Sequence, residues 1–192
     1  MSLILASNSA SRRAMLEVAG VVHSARSAEF DEEWVKERHV GDGESLARRL
    51  AEGKALSIGT GDDWAIGADS TVSVNAVRYS KPHDRDEATR HLRAFSGQTM
   101  LLSSAVALAR GGRIDWGHAE TARLEVRPLS EGFIGSYLDA EWPEVGQCVG
   151  VFRMEGRGVT LFDRVEGSHF TILGMPLLPL LGALRQRGIL AS

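Results

Sequence analysis

The sequence predicts an α/β protein built around a mixed β-sheet. Two observations carry that prediction: strand patterns alternate with amphipathic helix patterns over most of the chain, and a long β-meander occupies its middle. Length adds a third, because 192 residues suffice to bury a substantial core, and one compact domain over 1–192 is expected.

Leu3–Ala6 reads as a buried strand that ends in the polar turn Ser7, Asn8 and Ser9, and a helix follows over Ala10–Val18, stopped by Gly20. A second helix is predicted from Glu44 to Ile58, with Ser45 able to cap it, because Leu46, Leu50, Ala51 and Ile58 recur at helical spacing. Lys54 lies on that same apolar stripe. "WAIGADSTVSV" predicts a buried strand over Ala65–Ala68, then the polar pair Asp69 and Ser70, then a resumed strand. "DRDEATRHLRAF" is predicted to be a helix with Ala88, Leu92 and Phe95 facing inward. "MLLSSAVALAR" and "AETARLEVRPL" read as strands, with "GGRIDWG" as the turn region between them. "SEGFIGSYLDA" reads as a helix opened by Ser130, "RGVTLFDRVEG" as a strand, and "ILGMPLLPLLGAL" as a buried C-terminal helix.

Composition narrows the functional classes. The chain is 43% hydrophobic and 24% charged, and 22 Lys+Arg against 25 Asp+Glu leave a net charge of −3, which argues against a nucleic-acid-binding role. The single cysteine, Cys148, excludes an intrachain disulfide, no Cys/His cluster has zinc-site spacing, and a reducing cytoplasm is the expected location. The N-terminal apolar run is too short for a signal peptide, and no run reaches the roughly 20 apolar residues of a membrane span. No membrane association is expected.

The loop after the first strand is the first candidate site. Arg12 and Arg13 stand in the first turn of a helix, whose N-terminus carries about half a positive charge, so each is unfavourable there by a few tenths of a kcal/mol. Backbone N–H groups at the helix entrance, the Ser7 and Ser9 hydroxyls and the two guanidiniums together form a phosphate site. The alternative is that Ser9 caps the helix and both arginines point into water. Asp69, where a buried strand stops, can activate water or bind a divalent cation; the alternative is a turn aspartate bonded to its own backbone. Lys54, Lys81 in "YSKP" and Glu32 in "EFDEEW" are further candidates, to be weighed against a snorkelling lysine and a solvated acidic loop. Neither G-x-x-x-x-G-K-[ST] nor a strand-linked G-x-G-x-x-G is present.

The order of the pieces says more than any one of them. "LILASNSASRRAML", "EFDEE", "LARRLAEGKA", "IGADSTV", "SKP", "FSG", "EGRG", "LFDRVEG" and "LGMPLLPL" follow one another as the landmarks of the Maf family do, so the chain resembles that family over nearly its whole length. The resemblance implies a mixed, elongated central β-sheet flanked by helices in two lobes, as in inosine-triphosphate pyrophosphatases, and a cytoplasmic homodimer. It implies cleavage of nucleoside triphosphates between the α- and β-phosphates with a divalent cation, Mg²⁺ or Mn²⁺. By the same resemblance Ser7, Arg12, Arg13, Lys54 and Lys81 handle phosphate, Glu32 and Asp69 hold the metal, and Asp69 is the catalytic base. A nucleotide-binding regulator of septum formation is the alternative function for such a pocket.

Several positions depart from the common family pattern. Ala10 and Ser11 make "SASRR" of the usual "SPRR", with Ser11 at a position tied to base choice; Ser70 replaces threonine after "GAD", and Met100 stands where many members have histidine. Cys148 and Glu155 replace lysine and glutamine in the C-terminal motif. "CxGxFxxEGxG" with "TLF[DE]R" is similar to the subgroup acting on 7-methyl-GTP, although tryptophan and glutamine are usual there at the positions of Ser11 and Ser70. Ser11, Ser70 and Glu155 are therefore the expected specificity positions. A carboxylate at 155 accepts from the N1–H and amine of guanine and suits the cationic ring of a 7-methylated base.

Overall fold

A computed structural model describes residues 2–191. In chain order the elements are β1 (Leu3–Leu5), α1 (Ala10–Val18), β2 (Ser24–Ala25), α2 (Glu32–Arg38), α3 (Gly43–Ile58), β3 (Trp64–Val74), β4 (Val77–Tyr79), α4 (Arg85–Phe95), β5 (Thr99–Arg110), β6 (Arg113–Val126), α5 (Glu131–Glu141), β7 (Phe162–Glu166), α6 (His169–Ile172) and α7 (Leu177–Gln186). Seven strands form one sheet in the order β2-β1-β3-β5-β6-β7, with β4 paired to β3. It is mixed: β1 runs parallel to β2 and β3, while β3–β4 and β6–β7 are antiparallel.

The chain divides into two compact units, one made of the segments up to Ser70, Ser103–Glu120 and from Ser168 onward, the other of Thr71–Leu102 and Thr121–Gly167. In the first, Leu3 and Leu5 of β1, Met15 and Leu16 of α1, Ile66 of β3, Leu108 of β5 and Leu180 and Leu184 of α7 form one buried apolar cluster. A second cluster is built entirely of small side chains: Ala47, Ala51 and Ala55 of α3 meet Ala105, Ala107 and Ala109 of β5, all fully buried. Small side chains let a helix lie close to a sheet, and Gly67 of β3 marks the tightest approach. A Cβ there would stand 2.0 Å from the Ala51 carbonyl oxygen and 2.5 Å from the Ala55 nitrogen. That is the physical reason for the glycine of "IGAD".

In the second unit α4 packs on α5. The core there includes Ala88, Leu92, Phe95, Met100, Leu124, Ile134 and Leu138. Buried Tyr137 donates to the Val151 carbonyl at 2.9 Å, and burial pushes its phenol pKa well above the ordinary value.

Several local expectations need correction. The strand through Asp69 and Ser70 is not interrupted but continuous over Trp64–Val74. The polar pair is accommodated because both side chains find partners inside the fold. Ser45 does not cap α3; Asp42 does, its Oδ1 accepting from the Ser45 N–H at 2.8 Å. "EFDEEW" is loop only as far as Asp31, which caps α2 by accepting from Trp34 N–H at 2.9 Å, and Glu32 opens the helix. The turn in "GGRIDWG" is only Gly111-Gly112, at φ +59° and +72°, the positive values a two-residue hairpin of matching twist requires, and "RIDWG" belongs to β6. Arg157–Leu161 forms a 3₁₀ turn ahead of β7. The C-terminal apolar segment is split between α6 and α7 by Gly174 at φ +104°. Among the described residues no helix is long and apolar enough to cross a membrane.

Candidate functional site

The close seat of α3 on the sheet delivers Lys54 to the carboxylates. Its Nζ lies 2.9 Å from Glu32 Oε1 and donates to Asp69 Oδ2. The side chains of Lys54 and Asp69 are each only 12% exposed, so this pair is largely shielded from water and its charges interact more strongly than a surface pair would. The second oxygen of Asp69 accepts from the Ser70 N–H at 2.6 Å. On α2, Lys36 lies 3.7 Å from Glu32 Oε2 and 2.6 Å from Glu33. Burial works to lower the Lys36 pKa, but the Glu33 hydrogen bond and the charges of Glu32, Glu33 and Asp69 outweigh it and raise the pKa. Sequence reasoning missed Lys36; its i,i+4 spacing from Glu32 is a signal only once α2 is known to be a helix.

Around the turn after β1, Ser9 caps α1 by accepting from the Arg12 N–H at 3.4 Å, and Ser7 Oγ accepts from the Ser9 N–H at 3.2 Å. Arg12 and Arg13 then part company. Arg12 donates from Nε to the Gly174 carbonyl (2.9 Å), from Nη1 to the Ala68 carbonyl (2.8 Å) and Ser7 Oγ (3.4 Å), and from Nη2 to Ser70 Oγ (3.2 Å). A guanidinium has five N–H donors, so these contacts leave a single one for any ligand. Burial pulls the Arg12 pKa below its ordinary value, against the opposing charges of Asp69 and Glu32. Arg13 is exposed on α1. Ser11 is half-buried on the same helix, and the Ser70 hydroxyl points inward, 2.8 Å from Ser104 Oγ and 3.3 Å from the Gly174 carbonyl.

Lys81 and Glu155 belong to the second unit, and both are exposed. Half-buried Cys148 lies within electrostatic reach of both. Burial raises its thiol pKa, Glu155 adds to the rise, and Lys81 and Arg153 oppose it. The loop carrying Glu155 is anchored from beneath by Glu141, a buried carboxylate that accepts from Arg153 Nη2 at 3.1 Å and from the Arg157 N–H at 3.2 Å. A Cβ at Gly156 would sit 2.9 Å from Glu141 Oε2, so the glycine lets this carboxylate lie beneath the loop. Glu141 has no sequence signal beyond its place at the end of an amphipathic helix.

Of the expected site residues, the first unit thus joins Ser7, Arg12, Glu32, Lys54, Asp69 and Ser70 in one contact network. Among the described residues no group of three or more His, Cys, Asp or Glu is placed to hold a metal ion. Glu32 and Asp69, which share one ammonium, fit a cation of the Mg²⁺ type, which takes one or two carboxylates and fills its remaining positions with water and substrate phosphate.

Residues 2–187 match the family model described as "Maf-like protein". The chain is 44% identical over 191 residues to a protein of Rhizobium meliloti (strain 1021) named 7-methyl-GTP pyrophosphatase, covering 97% of this chain and 96% of that one. It is 39% identical over 198 residues to the nucleoside triphosphate pyrophosphatase of Gluconobacter oxydans (strain 621H), covering 100% and 97%. Among solved structures the Staphylococcus aureus Ham1 protein aligns over 98% of this chain and all of its own, with a TM-score of 0.50 at 13% identity, a likeness of fold alone.

Proposed function

Because the chain belongs to the Maf family, we propose that it hydrolyses nucleoside triphosphates between the α- and β-phosphates, releasing nucleoside monophosphate and pyrophosphate, and that it favours 7-methyl-GTP or another modified purine. The observation that carries the reading is the shielded Lys54–Asp69 pair, joined by Glu32 from α2, at the end of the Gly67 approach. A binding module needs cations for a triphosphate; a carboxylate held among them serves a reaction. Asp69 orients the attacking water and accepts its proton, while Lys54 and Arg13 offset the charge that grows on the departing pyrophosphate, and Lys81 is assigned to phosphate by the family resemblance alone. Glu32 and Asp69 would hold a divalent cation, Mg²⁺ or Mn²⁺, which when bound supplies further charge neutralisation at the phosphates. The enzyme acts in the cytoplasm as a homodimer and clears non-canonical nucleotides. The direct test is pyrophosphate release from a nucleotide panel with Mg²⁺ or Mn²⁺; no release from any triphosphate would leave only the regulatory reading.

Base choice is assigned to Glu155, held outward by the Glu141-anchored loop. Glu155→Gln is expected to shift preference toward UTP and dTTP, because an amide both donates and accepts while a carboxylate only accepts. Competing-substrate kinetics check this. A wild type with a higher kcat/KM for UTP or dTTP would remove Glu155 from the role and leave the pyrophosphatase assignment intact.

The arginine pair separates by affinity. With its guanidinium in solvent, Arg13 is the one able to reach a phosphate without giving up existing bonds. Arg13→Ala is expected to weaken triphosphate binding by about 1.5–3 kcal/mol, the range for hydrogen bonds to charged groups, with no loss of stability. Calorimetric titration with a non-hydrolysable triphosphate measures it, and unchanged affinity would return Arg13 to the surface.

A further inference from the structure

A chain of hydrogen bonds inside the first unit leads away from Asp69. Ser104, fully buried, donates its one hydroxyl proton to the Thr171 carbonyl at 2.7 Å. It is therefore an acceptor toward Ser70, 2.8 Å away, with the Gly174 carbonyl at 3.3 Å the longer alternative for the Ser70 proton, and the Ser70 oxygen accepts from Arg12. Thr171, also fully buried, donates its own hydroxyl to Glu120 Oε2, and the other oxygen of Glu120 lies 3.0 Å from His118 Nε2.

What this chain holds is the main chain on both sides of Asp69. Arg12 bonds the carbonyl of residue 68 and the hydroxyl of residue 70, and the Ser70 N–H donates to the Asp69 carboxylate. Gly174, whose carbonyl takes Arg12 Nε, sits at φ +104° with space for a Cβ only 3.3 Å from Ser70 Oγ, so the turn after α6 is shaped to that contact. Apolar side chains of similar shape would fill the space of Ser104 and Thr171 without burying two hydroxyls that each demand a partner.

We propose that Glu120, Thr171 and Ser104 are positioning residues that act through Ser70 and Arg12 to aim the Asp69 carboxylate, and that Arg12 itself positions the site more than it binds phosphate. The proposal rests on Asp69 being the base. Thr171→Val removes the hydroxyl and keeps the shape, whereas Thr171→Ser keeps the hydroxyl; Glu120→Ala removes the acceptor, whereas Glu120→Gln retains an amide oxygen. With 7-methyl-GTP as substrate, Thr171→Val and Glu120→Ala should each lower kcat by about 10- to 100-fold with KM changed less than about threefold, while Thr171→Ser and Glu120→Gln stay near wild type.

Thermal unfolding identifies any variant that fails to fold, and the Glu120 pair then decides in place of the Thr171 pair. A Thr171→Val enzyme with wild-type kcat overturns the proposal, as does a Thr171→Ser enzyme that loses as much as the valine variant. Asp69→Asn measured alongside separates the two levels. If it turns over normally the base assignment falls and the positioning role falls with it; if it is inactive beside a fully active Thr171→Val, only the network is wrong.

Discussion

Asp69→Asn is expected to lower kcat by about 10²- to 10⁴-fold, the usual contribution of a general base, with nucleotide binding retained. Asparagine has nearly the same shape, and its amide oxygen can still accept from Lys54 or from the Ser70 N–H, so the strand end keeps its main-chain geometry. It loses basicity and charge. Lys54 then depends on Glu32 alone, at 2.9 Å, for its counter-charge, and some stability is lost because one partner of a shielded ion pair has gone. Single-turnover pyrophosphate release, with circular dichroism to establish folding, separates the two effects. Turnover within a few fold of wild type would take the base role away from Asp69.

Gly67→Ala is expected to have the largest effect on stability, more than about 3 kcal/mol. Overpacking a core commonly costs about 1–3 kcal/mol when side chains can yield. Here the added methyl meets main-chain atoms of α3 at 2.0 and 2.5 Å, and the helix can only move away as a body. Moving it would undo the alanine contacts and withdraw Lys54 from Asp69, so activity should fall with stability. At about 2–4 °C per kcal/mol for a chain of this size, the melting temperature should drop by on the order of 10 °C. Gly135→Ala is the matched control: in the middle of α5 a Cβ meets nothing within 4 Å, so the better helix propensity should stabilise by roughly 0.5–1 kcal/mol. An unchanged urea midpoint for Gly67→Ala would refute the tight-approach account.

Lys54 was visible on its apolar stripe but not separable from a snorkelling lysine, because its counter-charges Glu32 and Asp69 are brought to it only by the fold. The role of Glu32 could not be decided from "EFDEEW", because α2 is only seven residues long and too short for a periodic pattern to declare itself. The fate of Arg12 was illegible for a different reason. Two of its acceptors are main-chain carbonyls 56 and 162 positions away, and a carbonyl has no letter of its own. The same holds for Thr171, whose partners Ser104 and Glu120 lie 67 and 51 positions off. Gly67 and Gly174 were visible as letters of "IGAD" and "LGMP", yet the crowding that requires them exists only in three dimensions.

The segmented make-up of the first unit bears on how the protein is made. Ser7, Arg12, Glu32, Lys54 and Asp69 all lie in its first segment, so the chemistry leaves the ribosome early. Gly174, which closes the contacts of Arg12 and Ser70, emerges 104 residues after Ser70. Until it does, the nascent chain carries an arginine whose Nε acceptor has not yet been synthesised, and the whole second unit has to be translated in between. Joining ends so far apart also carries a loop-closure cost that only native contacts offset. The first unit is therefore completed after translation has passed the second, and the enzyme gains activity only when the last segment docks. Ribosome-stalled chains ending before Thr171 should hold the second unit folded and show no turnover, a dependence on synthesis order that a contiguous domain would not have.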